Sequence, residues 1–132
     1  MKTIIAGSRT IDSFADVEAA IKLSGFQITE VISGGAQGVD TVGVNWAVAN
    51  KVPFRYFYAD WKNLGKAAGP IRNSQMAAEA EALILVWDGK SRGSQDMRRK
   101  AQLKGLKIFE HIVTPQFLKP IDPDFIKFKL DD

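Results

Sequence analysis

The sequence contains no cysteine. That absence removes disulfide staples, thiolate metal sites and a cysteine nucleophile, and it fits a reducing, cytoplasmic setting. Histidine occurs once, as His111, at the end of an apolar run. A lone imidazole there reads as structural, so neither a metal site nor a cofactor is expected. No apolar stretch approaches the roughly 18 residues that a membrane-crossing helix needs, so no membrane partner is expected. The apolar run within Met1 to Gly7 is too short for a secretory leader. Charge of one sign is also scarce. The net charge is +3, with both signs mixed along the chain. That balance argues against nucleic acid as a partner.

What is present suits one folded domain. The chain has 132 residues, 45% of them hydrophobic, enough for a core without staples. Short apolar runs at 2–6, 28–33, 54–58, 82–87 and 106–112 read as strands. Helical spacing joins them. Phe14, Val17, Ala20 and Ile21 follow a cap at Asp12 or Ser13, and Gly25 stops that helix. A second helix, 40–50, is apolar nearly all round and is expected to be well buried. A loop spans 59–69. Pro70 suits the first turn of a third helix, and Ser94 can cap a fourth that Gly105 ends. Alternation of this kind predicts an α/β fold, a Rossmann-like doubly wound parallel sheet of about five strands.

Ligands of such sheets bind outside the carboxyl ends of the strands. Here those ends carry Gly7-Ser8-Arg9, then Gly34-Gly35 with Gly38 and Asp40, then Asp88-Gly89 with Ser94. Glycine lets backbone N–H groups approach an anion closely, and a helix N-terminus behind them favours negative charge. Each glycine could equally serve only a tight turn. There is no Gly-Lys-Ser/Thr of a P-loop and no complete G-x-G-x-x-G, which argues against a Walker-type NTPase or an ordinary dehydrogenase. Arg72 and Asn73 fall at the start of the third helix, with Lys66 just before it, where a guanidinium could hold phosphate. Asp40, Asp60, Asp88 and Asp96 could bond ribose hydroxyls or act as acid or base. Capping and turn formation explain Asp40 and Asp88 nearly as well. Trp61 and Trp87 could stack on a base, though single aromatics are more often core. Arg98-Arg99-Lys100 reads as a solvated helix face.

Four blocks together resemble the SLOG superfamily, and most of all its small YspA/YpsA-like branch. They are Ile5 to Arg9, Ser33 to Asp40, Asp60-Trp61 with Lys66 to Met76, and Trp87 to Met97. The superfamily also includes DprA-type DNA-processing proteins and LOG cytokinin-activating enzymes. The resemblance implies a Rossmann-like fold that binds nucleotides or nucleotide-derived signals. LOG enzymes cleave the N-glycosidic bond of a nucleoside monophosphate. Their arginine-bearing helix start is similar to Arg72-Asn73, and their glycine loop and acidic residue to Asp88-Gly89 through Asp96. The Pro-Gly-Gly opening is missing, and Met97 stands at or beside the position of the catalytic glutamate.

The leading expectation is therefore a binding protein for a nucleotide-derived small molecule. Its ligand residues would be Gly7, Ser8, Arg9, Gly34, Gly35, Gly38, Asp40, Asp60, Trp61, Lys66, Arg72, Asn73, Asp88, Gly89 and Ser94. One alternative is a nucleotide N-glycosidase using Asp96 or Asp88. Another is DprA-like binding of single-stranded DNA, which needs a basic groove that only the region 92–104 suggests. The chain divides into a nucleotide-binding domain, 1–113, and a proline-punctuated tail, 114–132. Ile126 to Leu130 alternates like a half-buried strand, so the tail is expected to pack on the domain or on a second copy in a dimer-based homo-oligomer.

Overall fold

The computed structural model describes residues 1–113. Five strands, β1 (Lys2–Gly7), β2 (Glu30–Ser33), β3 (Phe54–Tyr56), β4 (Ala82–Trp87) and β5 (Lys107–Ile112), form one sheet in the order β3-β2-β1-β4-β5. Every pairing is parallel, as the alternation of strand and helix predicts. The connections carry α1 (Phe14–Ser24), α2 (Val39–Ala49), a single-turn α3 (Trp61–Leu64) followed by a 3₁₀ turn (Gly65–Ala67), α4 (Ala68–Glu79) and α5 (Arg92–Leu103).

The central strands explain the layering. β4 reads Ala-Leu-Ile-Leu-Val-Trp and is buried throughout, because successive side chains enter opposite cores. Ile84 and Val86 join Ile5 on the face covered by α1 and α2. Leu83 and Leu85 join Ile4 on the face covered by α4 and α5. Burying each such side chain contributes about 1.5–3 kcal/mol before ordering costs. α1 is capped by Ser13, whose hydroxyl accepts from the Asp16 N–H, and Gly25 closes it in the left-handed region.

The boundaries differ from expectation where local signals compete. β2 and β3 are shorter than the apolar runs that suggested them. α3 occupies part of the expected loop, too short to show a helical period. α4 begins before Pro70, which the first turn tolerates because its missing N–H has no helical partner there. Ser91, not Ser94, caps α5, and Ser94 is buried inside the first turn. α2 is not buried all round: Val48 is 62% exposed on its outer side. No described helix is long and apolar enough to cross a membrane. The tail and the oligomer contact assigned to it lie outside the described residues.

The order of the strands positions the site. The chain leaves β1 for β2 on one side and later crosses to β4 on the other. The carboxyl ends of β1 and β4 thus flank the crevice where the winding reverses.

Candidate functional site

A cavity of about 520 Å³ lies at that crevice. Its walls are the turn after β1, the turn after β2, the first turns of α4 and α5, and the ring of Trp61. Close backbone packing holds these parts together. A Cβ on Gly7 would run into the Val86 carbonyl, and one on Gly38, whose φ is +77°, into the carbonyls of Ser8 and Arg9. Glycine at both places lets the turns touch. The Ser8 N–H donates to the Val86 carbonyl at 3.2 Å, and the Val39 N–H to the Ser8 carbonyl at 3.3 Å. The Asp88 N–H donates to Ser8 Oγ at 3.0 Å. Ser8 therefore ties the first, second and fourth strand ends into one unit.

On the β2 side, Asp40 is buried beneath the Gly34-Gly35 turn, and its Oδ2 accepts from the Ala36 N–H at 3.2 Å. Burial pushes its pKa up to about 6, against the pull of the Ala36 N–H and the Arg72 guanidinium. Arg72 Nη1 donates to the Gly34 carbonyl at 2.6 Å, and its Nε to Asn73 Oδ1 at 3.2 Å. Burial lowers the pKa of Arg72, and Asp40 opposes that effect. Arg72 thus braces the glycine turn as well as facing the cavity.

On the α5 side the carboxylates are already satisfied. Asp96 accepts from Asn73 Nδ2, Arg99 Nη2 and Lys100 Nζ, each at 3.0 Å. Partial burial raises its pKa, but those three donors outweigh burial and hold it below the usual carboxylate range. Asp88 accepts from the N–H groups of Lys90 and Ser91 at 2.8 and 2.9 Å, the turn that leads into α5. The Lys90 bond lowers its pKa most, partial burial opposes, and the Ser91 and Ser8 bonds add to the lowering.

Of the residues expected from the sequence, Gly7, Ser8, Arg9, Asp40, Trp61, Arg72, Asn73, Asp88, Ser94 and Asp96 line the cavity together. Gly34 stands just behind its wall: a Cβ there would lie 2.7 Å from Arg72 Nη1 and 2.9 Å from Asp40 Oδ2. Gly35, Gly38, Gly89, Asp60 and Lys66 are not on the wall. Asp60 caps α3, accepting from the Asn63 N–H at 3.2 Å. Lys66 is exposed in the 3₁₀ turn. Trp87 is core, with its Nε1 donating to Glu110 at 2.7 Å.

The sequence reading missed Arg92 as a wall residue. Among the described residues, neither Arg92 nor Arg9 has a carboxylate within ion-pair distance, although both are exposed on the cavity. A signal was available. A cation at the first position of a helix opposes the helix dipole, and neither α4 nor α5 places an acidic residue in its first turn.

The chain matches no protein-family model. The crystal structure of DNA processing protein A (DprA) from Streptococcus pneumoniae matches it with a TM-score of 0.69 and 20% identity, over 87% of this chain and 51% of that one. This chain therefore spans about half the length of that protein, and its fold is SLOG-like. The likeness bears on the fold and does not reach the YspA-like branch. The Gene 61 protein of Mycobacterium phage D29 is 32% identical over 84 residues, 59% of this chain and 67% of the phage protein. The chain belongs to the family of that phage protein.

These findings correct one expectation. The low net charge argued against nucleic acid, yet the fold is shared with a DNA processing protein. The physical reason is that net charge averages over pairs. Arg98, Arg99 and Lys100 are matched by Glu110 and Asp96. Arg9 and Arg92, where the cavity opens, have no carboxylate partner among the described residues.

Proposed function

We propose that this chain binds single-stranded nucleic acid, taking one nucleotide unit into the cavity. The observation that carries the reading is a pair of guanidiniums, Arg9 and Arg92, without a carboxylate partner among the described residues, on a cavity where two helices begin with no acidic residue in their first turns. Such groups suit backbone phosphate, which has no sequence to read. Trp61, 51% exposed on the wall, offers a face for a base. The likeness in fold to DprA supports this reading over the others.

A free nucleotide-derived small molecule is the second reading. The cavity volume favours it, since about 520 Å³ falls within the roughly 300–1,000 Å³ typical of small-molecule sites. An N-glycosidase acting through Asp96 or Asp88 has weaker support, because both carboxylates are occupied by other donors.

Fluorescence anisotropy with labelled oligothymidylate tests the proposal. Binding should weaken steeply between about 50 and 200 mM salt. Replacing both Arg9 and Arg92 by Ala should reduce the salt slope by about 1.4, two single-strand contacts at roughly 0.7 each. A protein that binds thymidine monophosphate but no oligothymidylate at low salt would sink the proposal and establish the second reading.

A further inference from the structure

β3 is an edge strand, and its side chains divide unevenly between two faces. Arg55 and Phe57 turn toward α4. Arg55 pairs with Glu30 at 3.2 Å and Glu79 at 3.6 Å, and its guanidinium lies 5.0 Å from the centre of the Phe57 ring. Phe54, Tyr56 and Tyr58 fall on the other face at the two-residue period of a strand. Phe54 is the register partner of Val31, whose side chain enters the α1/α2 core. Among the described residues no helix covers the aromatic row: Phe54 is 40%, Tyr56 39% and Tyr58 75% exposed.

The row is ordered. The rings of Tyr56 and Tyr58 stack with centroids 5.5 Å apart and planes 29° from parallel, and Phe54 meets Tyr56 edge-on at 5.5 Å. It also adjoins the cavity. A Cβ on Gly35 would lie 3.4 Å from Tyr56 and 3.8 Å from Tyr58, whereas one on Gly34 would meet Arg72 and Asp40. The Gly34-Gly35 turn therefore has the cavity on one side and the tyrosine pair on the other. Arg72 links the two, with Nη1 donating to the Gly34 carbonyl and reaching the Phe57 carbonyl at 3.5 Å.

We propose that Tyr56 and Tyr58 form a stacking platform for a base of a single-stranded nucleic acid whose neighbouring nucleotide occupies the cavity. The site then takes successive nucleotides across the Gly34-Gly35 turn instead of one. This rests on the nucleic-acid reading above and adds where the strand runs. The chemistry is specific to bases. Two stacked, half-exposed rings give a flat apolar face of the kind that accepts any base, and the charged head of Arg55 is held on the opposite face.

The test compares a short oligothymidylate with thymidine monophosphate, on the full chain. Replacing Tyr56 and Tyr58 together by Ala should weaken oligothymidylate binding about tenfold or more and leave monophosphate binding unchanged. Replacing both by Phe should preserve oligothymidylate affinity, because the ring and not the hydroxyl does the stacking. Tyr58→Ala alone serves as the folded control, since that side chain is largely in solvent. Oligothymidylate affinity unchanged in both Ala variants overturns the platform while leaving the cavity reading intact. A change of molecular mass in the double Ala variant, with oligothymidylate affinity unchanged, overturns it in favour of an interface between copies. A wild-type protein that binds the monophosphate but not the oligomer ends both readings at once.

Discussion

Asp40 and Asp96 share one cavity and have opposite surroundings. Asp40 lies under the glycine turn with backbone N–H groups for company and, among the described residues, no cation in ion-pair contact. Its charged form is disfavoured, and its pKa is pushed up to about 6. Asp96 lies in the second turn of α5 with Asn73, Arg99 and Lys100 on its two oxygens, and its charged form is favoured. The carboxylate on the α5 wall is thus already satisfied by its donors. The β2 wall retains an unsettled charge that a bound ligand can influence, so the two walls should respond in opposite ways to pH and to substitution.

The largest expected effect is on stability. Asp40 has a folded-state pKa of about 6 against an ordinary value of 3.8. Between those values the folded chain binds more protons than the unfolded one, so stability falls as pH rises through that window. Two pKa units correspond to about 3 kcal/mol. Urea denaturation at pH values from about 4 to 7 should show that fall in the wild type. Asp40→Asn should abolish it. A wild-type curve that rises with pH across this window, or one that Asp40→Asn leaves unchanged, would erase the contrast between the walls.

The next effect concerns binding. A phosphodiester stays ionised from pH 5 to 8, so a change in oligothymidylate affinity over that range reports on the protein. Protonating Asp40 removes a negative charge beside Arg72 and should raise affinity about tenfold as pH falls through 6, a factor set by one charge at close range in a partly screened site. Asp40→Asn should hold the higher affinity at pH 8. Anisotropy titrations at both pH values check this. Equal affinity at both would mean that the ligand does not sense the buried wall.

These contrasts show what could be read from the sequence. The layered sheet was legible because an apolar strand such as 82–87, bounded by turn residues, has few other places to go. The turns at Gly7, Gly34 and Asp88 were legible because backbone close approach leaves a compositional mark. The difference between Asp40 and Asp96 was not, since it depends on which donors tertiary packing brings to each oxygen. Ser91 and Ser94 are both good caps three residues apart, and local chemistry alone does not choose between them. The run 54–58 was visible as a strand, but only the sheet order puts that strand at an edge. Arg92 stood out only once the fold placed it on the cavity wall, while Arg98, Arg99 and Lys100 found carboxylates.

The smallest expected effect tests the settled wall. Asp96→Asn keeps one oxygen to accept from Asn73 but removes the charge that Lys100 and Arg99 share. Arg99 is 67% exposed at its side chain and loses little. Lys100 is 15% exposed and, among the described residues, retains the Pro70 carbonyl as its partner. The loss should therefore be about 1 kcal/mol of stability at neutral pH, the upper end for ion pairs near the surface. The sign with pH is the reverse of that for Asp40. A carboxylate whose folded pKa is depressed contributes above its unfolded value and loses that contribution as pH falls through the folded one. The difference between the variant and the wild type should thus be full well above about pH 4 and shrink as the pH falls below it. Denaturant midpoints measured on both proteins at those pH values decide the matter. If Asp96→Asn instead stabilises the chain at neutral pH, the carboxylate is as costly as Asp40, and the α5 wall is no more settled than its neighbour.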